Sequence, residues 1–162
     1  MFIMTSKSLR VLVRTAVVLI SICGFTACFY FLPSFGNDLV NLFPEYAHSY
    51  YPWLFFLWIV AVPCFAFLVL IWLLSSNIRR EVIFTYKTAR LVKIYAMILF
   101  YDAVFFIIGN IVFMAIGMNH PMVLLLSVII AIFGFILAVL TALLSRYLTK
   151  AAALQEEVSG TI

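Results

Sequence analysis

Hydrophobic side chains fill four long stretches of the chain, and polar positions are concentrated between them. The stretches cover residues 11–32, 53–74, 91–117 and 122–144. Each is long enough for a helix that crosses the roughly 30 Å hydrocarbon core of a bilayer, which takes about 20 residues. Lipid offers no partner to a backbone amide, so each stretch predicts a helix despite its β-branched and aromatic side chains. The pattern therefore predicts an all-α fold, an integral membrane four-helix bundle.

The composition supports this fold class. Of the 162 residues, 67% are hydrophobic and 10% are charged, and the mean hydropathy is +1.24. A soluble domain is nearer about half apolar and about a quarter charged. A small soluble fold has too much surface for its volume to bury so many apolar side chains. An ordinary soluble domain is therefore excluded.

Basic residues mark one side of the predicted membrane. Three lie before or close to the start of the first span, five lie from residue 79 to residue 93, before or close to the start of the third span, and two follow the fourth, which accounts for all ten. The outer loop 33–52 and the turn 118–121 contain none. By the positive-inside rule, both termini, the connection 75–90 and the tail 145–162 lie in the cytoplasm. The net charge of +4 is thus a topology signal that also attracts membrane lipids, and we expect no direct binding of nucleic acid.

The cytoplasmic connection has the pattern of an amphipathic helix. Apolar Ile78, Val82 and Tyr86 recur at intervals of four among basic residues, which predicts a helix from Ile78 that continues into the third span. The tail can extend the fourth helix in the same way. These extensions are candidate surfaces for a cytoplasmic protein partner, and solvated helix ends are the alternative. The basic residues predicted to bind a partner or lipid are Arg79, Arg80, Lys87, Arg90 and Lys93.

Small residues form a stripe along the fourth span. They are separated by 4, 3, 4, 3 and 4 residues and therefore share one helix face: Ser127, Ala131, Gly134, Ala138, Thr141 and Ser145. Helices in lipid associate by close packing, which small residues permit. The stripe predicts a helix-packing seam. The neighbouring helix belongs either to the same chain, which we favour, or to a second copy in a homo-oligomer.

Asp102 lies about eleven residues into the third span, near the middle of the predicted bilayer. A charged aspartate at that depth costs roughly 2.5–3.5 kcal/mol on insertion scales, so a partner or protonation is expected. Tyr95 and Gly109 lie seven residues before and after it on the same face, and Asn110 is close by. Asp102, Tyr95 and Asn110 form a candidate polar site within the membrane. It is either an ion or proton site, or a buried acid bonded to hydroxyl groups of neighbouring helices.

Nothing in the sequence resembles a catalytic or metal-ligating set. Cys23, Cys28 and Cys64 all lie in spans, and no CxxC pair, nucleophile with a base, phosphate loop or metal motif is present. We therefore expect a protein that is not an enzyme and that uses no metal or cofactor.

Two segments resemble a known family. Residues 84–94 (FTYKTARLVKI), which enter the third span, and residues 154–162 (LQEEVSGTI) are similar to the bacterial membrane-protein family called domain of unknown function 2975. In this chain Ser159 and Gly160 stand where the usual ending of the family has Asp-Leu. The resemblance implies a multi-pass protein of the bacterial cytoplasmic (inner) membrane. Members are often encoded beside a small helix-turn-helix regulator, which implies a membrane partner for such a regulator.

These patterns favour a regulatory or interaction protein that presents the basic helix and the tail to a cytoplasmic partner. The alternative is an oligomeric transporter or channel component in which Asp102 is the ion or proton site. Four spans are too few for the inverted-repeat plan of many transporters in one chain, so this alternative requires oligomerisation or a larger complex.

Overall fold

The computed structural model describes residues 6–77 and 85–159, and every element of regular structure in that part of the chain is helical. Four helical stretches are long and apolar enough to cross a membrane: Ser8–Leu42, Pro44–Ser75, Tyr86–Ala115 and Pro121–Glu157. This confirms the predicted all-α fold with four spanning helices.

The first spanning helix has three parts that follow one another without a break. They are α1 (Ser6–Thr26), a π-helical turn (Ala27–Phe31) and α2 (Leu32–Leu42). This helix is longer than the first apolar stretch, because it continues past Pro33 into the segment that was predicted to be a loop.

The π-helical turn accommodates Pro33, which has no N–H group to donate. The N–H of Leu32 donates to the carbonyl of Ala27 rather than to that of Cys28. The Cys28 carbonyl accepts a hydrogen bond at 3.1 Å from the indole N–H of Trp58. A side chain of a neighbouring helix thus supplies the donor that the local backbone lacks.

The segment 33–52 differs from the predicted loop. After α2, a 3₁₀ helix covers Pro44–Ser49, and α3 (Tyr50–Asn77) begins directly after it. Proline is well tolerated in the first turn of a helix, where its missing N–H would have no partner in any case. Pro44 occupies such a position and begins the 3₁₀ helix, whereas Pro33 lies within the continuous first helix, where the π-helical turn accommodates it.

Helix α4 (Tyr86–Ala115) begins at a defined N-cap. Thr85 is extended, with φ −124° and ψ 148°, and its hydroxyl oxygen accepts the N–H of Thr88. The prediction of one helix running from Ile78 into the third span is therefore wrong at Thr85, because an N-cap residue has non-helical backbone angles. The preceding residues 78–84, which include Ile78 and Val82, lie outside the described residues.

A short turn joins α4 to α5 (Pro121–Ser159), the longest helix of the chain. Gly117 adopts φ 72°, a left-handed conformation that glycine takes without strain. His120 caps the start of α5, because its Nδ1 atom accepts the N–H of Met122 at 3.2 Å. Pro121 then fills the first helical position, which suits its fixed φ. The two helices form an antiparallel hairpin.

The α4–α5 hairpin makes the most extensive contact in the bundle, α3 packs on α4, and α1 packs on α3. A core cluster joins three helices through Phe56 of α3, Phe106 of α4 and Ala131 of α5. The ring of Phe56 stacks on that of Phe106, with their centroids 5.9 Å apart.

Contacts between helices bring the basic residues to one end of the bundle, which we call the basic end. Arg14 of α1 donates to Ser75 of α3 at 3.4 Å, and Ser145 of α5 donates to the carbonyl of Ala89 in α4 at 2.8 Å. Leu74 of α3 packs against a cluster that consists of Ala89, Val92 and Leu148. It therefore connects the α1–α3 contact with the α4–α5 contact. The basic residues described at this end are Arg10, Arg14, Lys87, Arg90, Lys93, Arg146 and Lys150.

The opposite end carries aromatic side chains, and we call it the aromatic end. The indole N–H of Trp53 donates to the carbonyl of Met118 in the α4–α5 turn at 2.9 Å. The ring of Tyr46 lies edge-on to His120, with centroids 6.3 Å apart. These contacts attach the 3₁₀ helix and the start of α3 to the α4–α5 turn.

Candidate functional site

Asp102 is partly buried on α4, within the third spanning helix. Among the described residues, no hydrogen bond or ion pair to its carboxyl group is present. Cys64 of α3 lies within electrostatic range of both Asp102 and Cys28. A thiol of α3 thus lies near this acid, a neighbour that the spacing along α4 does not indicate.

Tyr95 and Gly109 share the face of α4 that contains Asp102, as their spacing of seven residues predicts. Tyr95 is partly buried and, within the described part of the chain, its hydroxyl group has no hydrogen-bond partner. Gly109 lies directly against the Phe56 ring of α3. The face of α4 that contains Asp102 therefore faces α3.

Asn110 belongs to a different group from Asp102. It is only 1% exposed, and its side-chain amide donates to the carbonyl of Phe106 at 2.9 Å. The amide of Asn119, in the α4–α5 turn, lies 3.4 Å from both the carbonyl and the side-chain oxygen of Asn110. Eight residues of helix place Asn110 about 12 Å from Asp102 along the α4 axis. Asn110 thus connects α4 to its own turn rather than to the acid.

The six seam residues of α5 face α4 of the same chain. Five are buried, Gly134 is partly buried, and a Cβ atom on Gly134 would lie 3.3 Å from the Cβ of Ala103. The buried residues of α4 that line the same interface recur at intervals of three or four: Ala89, Val92, Ala96, Leu99, Ala103, Phe106 and Asn110. The seam continues into Leu148 and Ala152, which follow the same spacing and are also buried.

The predicted basic surface falls partly within the described chain. Lys87, Arg90 and Lys93 are exposed on the first turns of α4, whereas Arg79 and Arg80 lie outside the described residues. Arg146 and Lys150 of α5 are exposed at the same end. These two residues belong to the tail that is predicted as a candidate surface, although they are not among the five basic residues predicted to bind a partner or lipid. Two helices therefore contribute exposed basic side chains at this end.

The described residues contain no group of three or more His, Cys, Asp or Glu side chains that could hold a metal ion. Asp102, Cys64 and Cys28 do not make such a group either. The chemistry that Asp102 can perform on its own is to carry a proton or to attract a cation.

A family model described as "Protein of unknown function (DUF2975)" matches residues 34–162. The match includes Asp102, the seam of α5 and the basic surface, whereas α1 and the π-helical turn precede it. No curated protein and no solved structure matches the chain.

Proposed function

The chain belongs to the DUF2975 family of proteins of unknown function, and on that premise we propose that it is a non-enzymatic membrane protein that binds a cytoplasmic protein partner. The proposed binding surface lies on α4 and α5 at the basic end and consists of Lys87, Arg90, Lys93, Arg146 and Lys150. The family resemblance points to a small helix-turn-helix regulator as the partner, in a bacterial inner membrane.

The length of the α4–α5 hairpin carries this proposal. Helix α5 has 39 residues and is therefore about 58 Å long, whereas the hydrocarbon core is about 30 Å thick. With the α4–α5 turn at the outer interface, about 28 Å of α5 extends beyond the core on the cytoplasmic side. A helix that only anchors the protein does not need this extension.

Packing holds the extension in place. Leu148 of α5 is buried against Ala89 and Val92 of α4, and Leu74 of α3 packs on the same cluster. Ser145 adds a hydrogen bond to the carbonyl of Ala89. The basic side chains therefore project from a fixed framework, which favours a specific partner with an acidic surface over a flexible charged tail.

Crosslinking from matched positions tests the proposal. Tyr86 of α4 and Tyr147 of α5 are exposed at the basic end, and Tyr51 of α3 is exposed at the aromatic end. A photoreactive phenylalanine replaces each tyrosine in turn, and crosslinked proteins are identified in living cells. We expect Tyr86 and Tyr147 to capture the same protein and Tyr51 not to capture it. Equal capture from all three positions, or none from the basic end, would contradict the proposal.

Charge variants add a second control. Lys87→Glu combined with Arg90→Glu should abolish the crosslink from Tyr147, because like charges then face the acidic partner. Lys87→Arg combined with Arg90→Lys keeps the charge and should preserve the crosslink. Loss of the crosslink in both double variants would mean that binding of the partner does not depend on the positive charge of this surface.

The environment of Asp102 favours a second candidate function, an ion or proton site in an oligomeric transporter or channel. An ionisable group within a membrane helix is costly and is retained mainly for function. Asp102→Asn in reconstituted vesicles should abolish a proton or cation flux, whereas Asp38→Asn, at an exposed acid of α2, should leave the flux unchanged. A flux that survives Asp102→Asn would remove this candidate.

A further inference from the structure

His120 is the N-cap residue of α5, a position that serine, threonine, aspartate or asparagine usually occupies. Its carbonyl accepts the N–H groups of Val123 and Leu124 at 2.9 and 3.1 Å. Its Nδ1 atom accepts the N–H of Met122 at 3.2 Å, which is the bond that a capping side chain makes. Nδ1 accepts only while it carries no proton, so this bond requires a neutral imidazole ring with its proton on Nε2.

A protonated ring does not fit this position. An imidazolium ring carries a proton on both nitrogen atoms, so its Nδ1–H would point at the N–H of Met122. The N-terminus of a helix also carries a partial positive charge, which disfavours a cation there. The ring of His120 must therefore turn away from the first turn of α5 when it binds a proton.

The same ring takes part in a contact that closes the aromatic end. The ring of Tyr46, on the 3₁₀ helix, lies edge-on to His120 with centroids 6.3 Å apart. Close by, the indole of Trp53 donates to the carbonyl of Met118. These contacts attach the 3₁₀ helix and the start of α3 to the α4–α5 turn. Rotation of the His120 ring breaks the first of them together with the cap of α5.

The charged groups around His120 do not compensate for a proton on its ring. The titratable side chains of α2, the 3₁₀ helix and the start of α3 are Asp38, Glu45, Tyr46, His48, Tyr50 and Tyr51. Tyrosine hydroxyl groups do not titrate near neutral pH. The two acids are exposed, and neither forms an ion pair with His120 in the part of the chain that the structure describes. The part of α4 after Asp102 and the part of α5 before Arg146 contain no charged residue.

We propose that His120 is a pH-sensitive switch at the aromatic end. The neutral ring caps α5 and holds the 3₁₀ helix through Tyr46, and binding of a proton releases both contacts. Imidazole groups change charge between about pH 8 and pH 5. Because the proton binds better to the released form, the closed aromatic end should be most stable above this range and should lose stability as the pH falls through it. In the predicted orientation this end lies outside the cytoplasm, so the switch responds to the acidity on that side.

Hydrogen exchange of the full chain in detergent, resolved to single amides, tests the switch at about pH 8 and about pH 5. Each rate is divided into that of the unfolded chain at the same pH, because intrinsic exchange also depends on pH. Protection of the Met122 amide should fall about fivefold at the lower pH, the effect of losing one helix cap. The amides of the 3₁₀ helix should lose protection with it. His120→Asn supplies a cap that does not titrate, so it should abolish the pH response, whereas the matched control His48→Asn should preserve it.

Several results would overturn the proposal. Equal protection of the wild-type Met122 amide at both pH values would show that the cap does not depend on the proton. A pH response that survives His120→Asn, or that disappears in His48→Asn, would assign it to another group. A response of Met122 without the 3₁₀ helix would separate the cap from the closure of this end. If His120→Asn does not fold, the ring nitrogen chemical shifts of wild-type His120 decide: a proton on Nδ1 at the higher pH would contradict the cap.

Discussion

Gly109 makes the closest approach between α3 and α4. A Cβ atom at this position would overlap the ring atoms of Phe56. That ring is confined, since it stacks on Phe106 and meets Phe113 edge-on with centroids 5.3 Å apart. Glycine is therefore required here by space, and its conformational freedom plays no part.

Gly109→Ala should lower the free energy of unfolding by about 1–3 kcal/mol, because Phe56 cannot move away. Thermal unfolding in detergent measures the effect. Adding Phe56→Leu makes room for the new methyl group, so the double variant should be more stable than the sum of the two single changes predicts. Strict additivity, or an unchanged unfolding midpoint in Gly109→Ala, would contradict this account of the contact.

The Trp58–Cys28 hydrogen bond permits a test in which two changes compensate. Trp58→Phe leaves the Cys28 carbonyl without its donor and should cost about 1–3 kcal/mol of stability. Pro33→Ala restores a backbone N–H one turn away, so the same tryptophan change should cost less in that background. The quantity to measure is the difference between the two costs in a double-mutant cycle. A cost for Trp58→Phe that does not depend on residue 33 would refute the compensation.

At the residue scale, spacing alone placed Tyr95, Asp102 and Gly109 on one face of α4. It did not identify Phe56 and Cys64 as their neighbours on α3. The reason is physical: periodicity defines the faces of one helix, whereas the relative height of two helices depends on how particular side chains interlock. The docking of Arg14 on Trp72 was out of reach for the same reason, since the two residues are 58 positions apart.

At the element scale, the seam between α4 and α5 follows from small side chains. Ala131 and Ala138 are 2% and 3% exposed and have room for little more than a methyl group. The neighbouring Val139 is 63% exposed on the side that faces lipid. Both faces of α5 are apolar, so hydrophobicity does not distinguish the face that packs on α4 from the face that contacts lipid. The size of the side chains distinguishes them, because only small residues allow the two helices to pack closely.

Enlarging the seam should therefore push the hairpin apart. Ala138→Leu should lower stability by about 1–3 kcal/mol, as overpacking does in other cores. Val139→Leu adds one methylene group to the lipid face and should change stability by less than about 0.5 kcal/mol. Thermal unfolding in the same detergent compares the two variants. Equal effects would show that α5 does not use this face against α4.

The seam was predictable because a regular spacing of small residues leaves a signal in the sequence. The helical course of residues 33–52 was not, because the first apolar stretch ends at residue 32, directly before Pro33. Its acceptance depends on the π-helical turn before it and on the indole of Trp58, which comes from another helix. The helix start at Thr85 was also not predicted. Apolar residues recur every four positions on both sides of Thr85, which indicates a continuous helix, but the threonine hydroxyl caps α4 there.

At the scale of the whole molecule, the bundle is strongly polarised. The basic end gathers the described Lys and Arg side chains together with Glu156 and Glu157 of α5. Tyr46, Tyr51 and Trp53 lie at the aromatic end, as do the acidic residues Asp38 and Glu45. The composition of the two ends matches the asymmetry that the positive-inside rule describes. The proposed partner surface requires the basic end to be in the cytoplasm.

Compartment-specific reporters test that orientation most directly. A phosphatase that is active only outside the cytoplasm and a fluorescent protein that matures only inside it are each inserted after Ala47 and after Lys150. We expect phosphatase activity and no fluorescence at Ala47, and fluorescence without phosphatase activity at Lys150. Fluorescence at Ala47, or the same result at both positions, would contradict the arrangement of four spans with a cytoplasmic basic end.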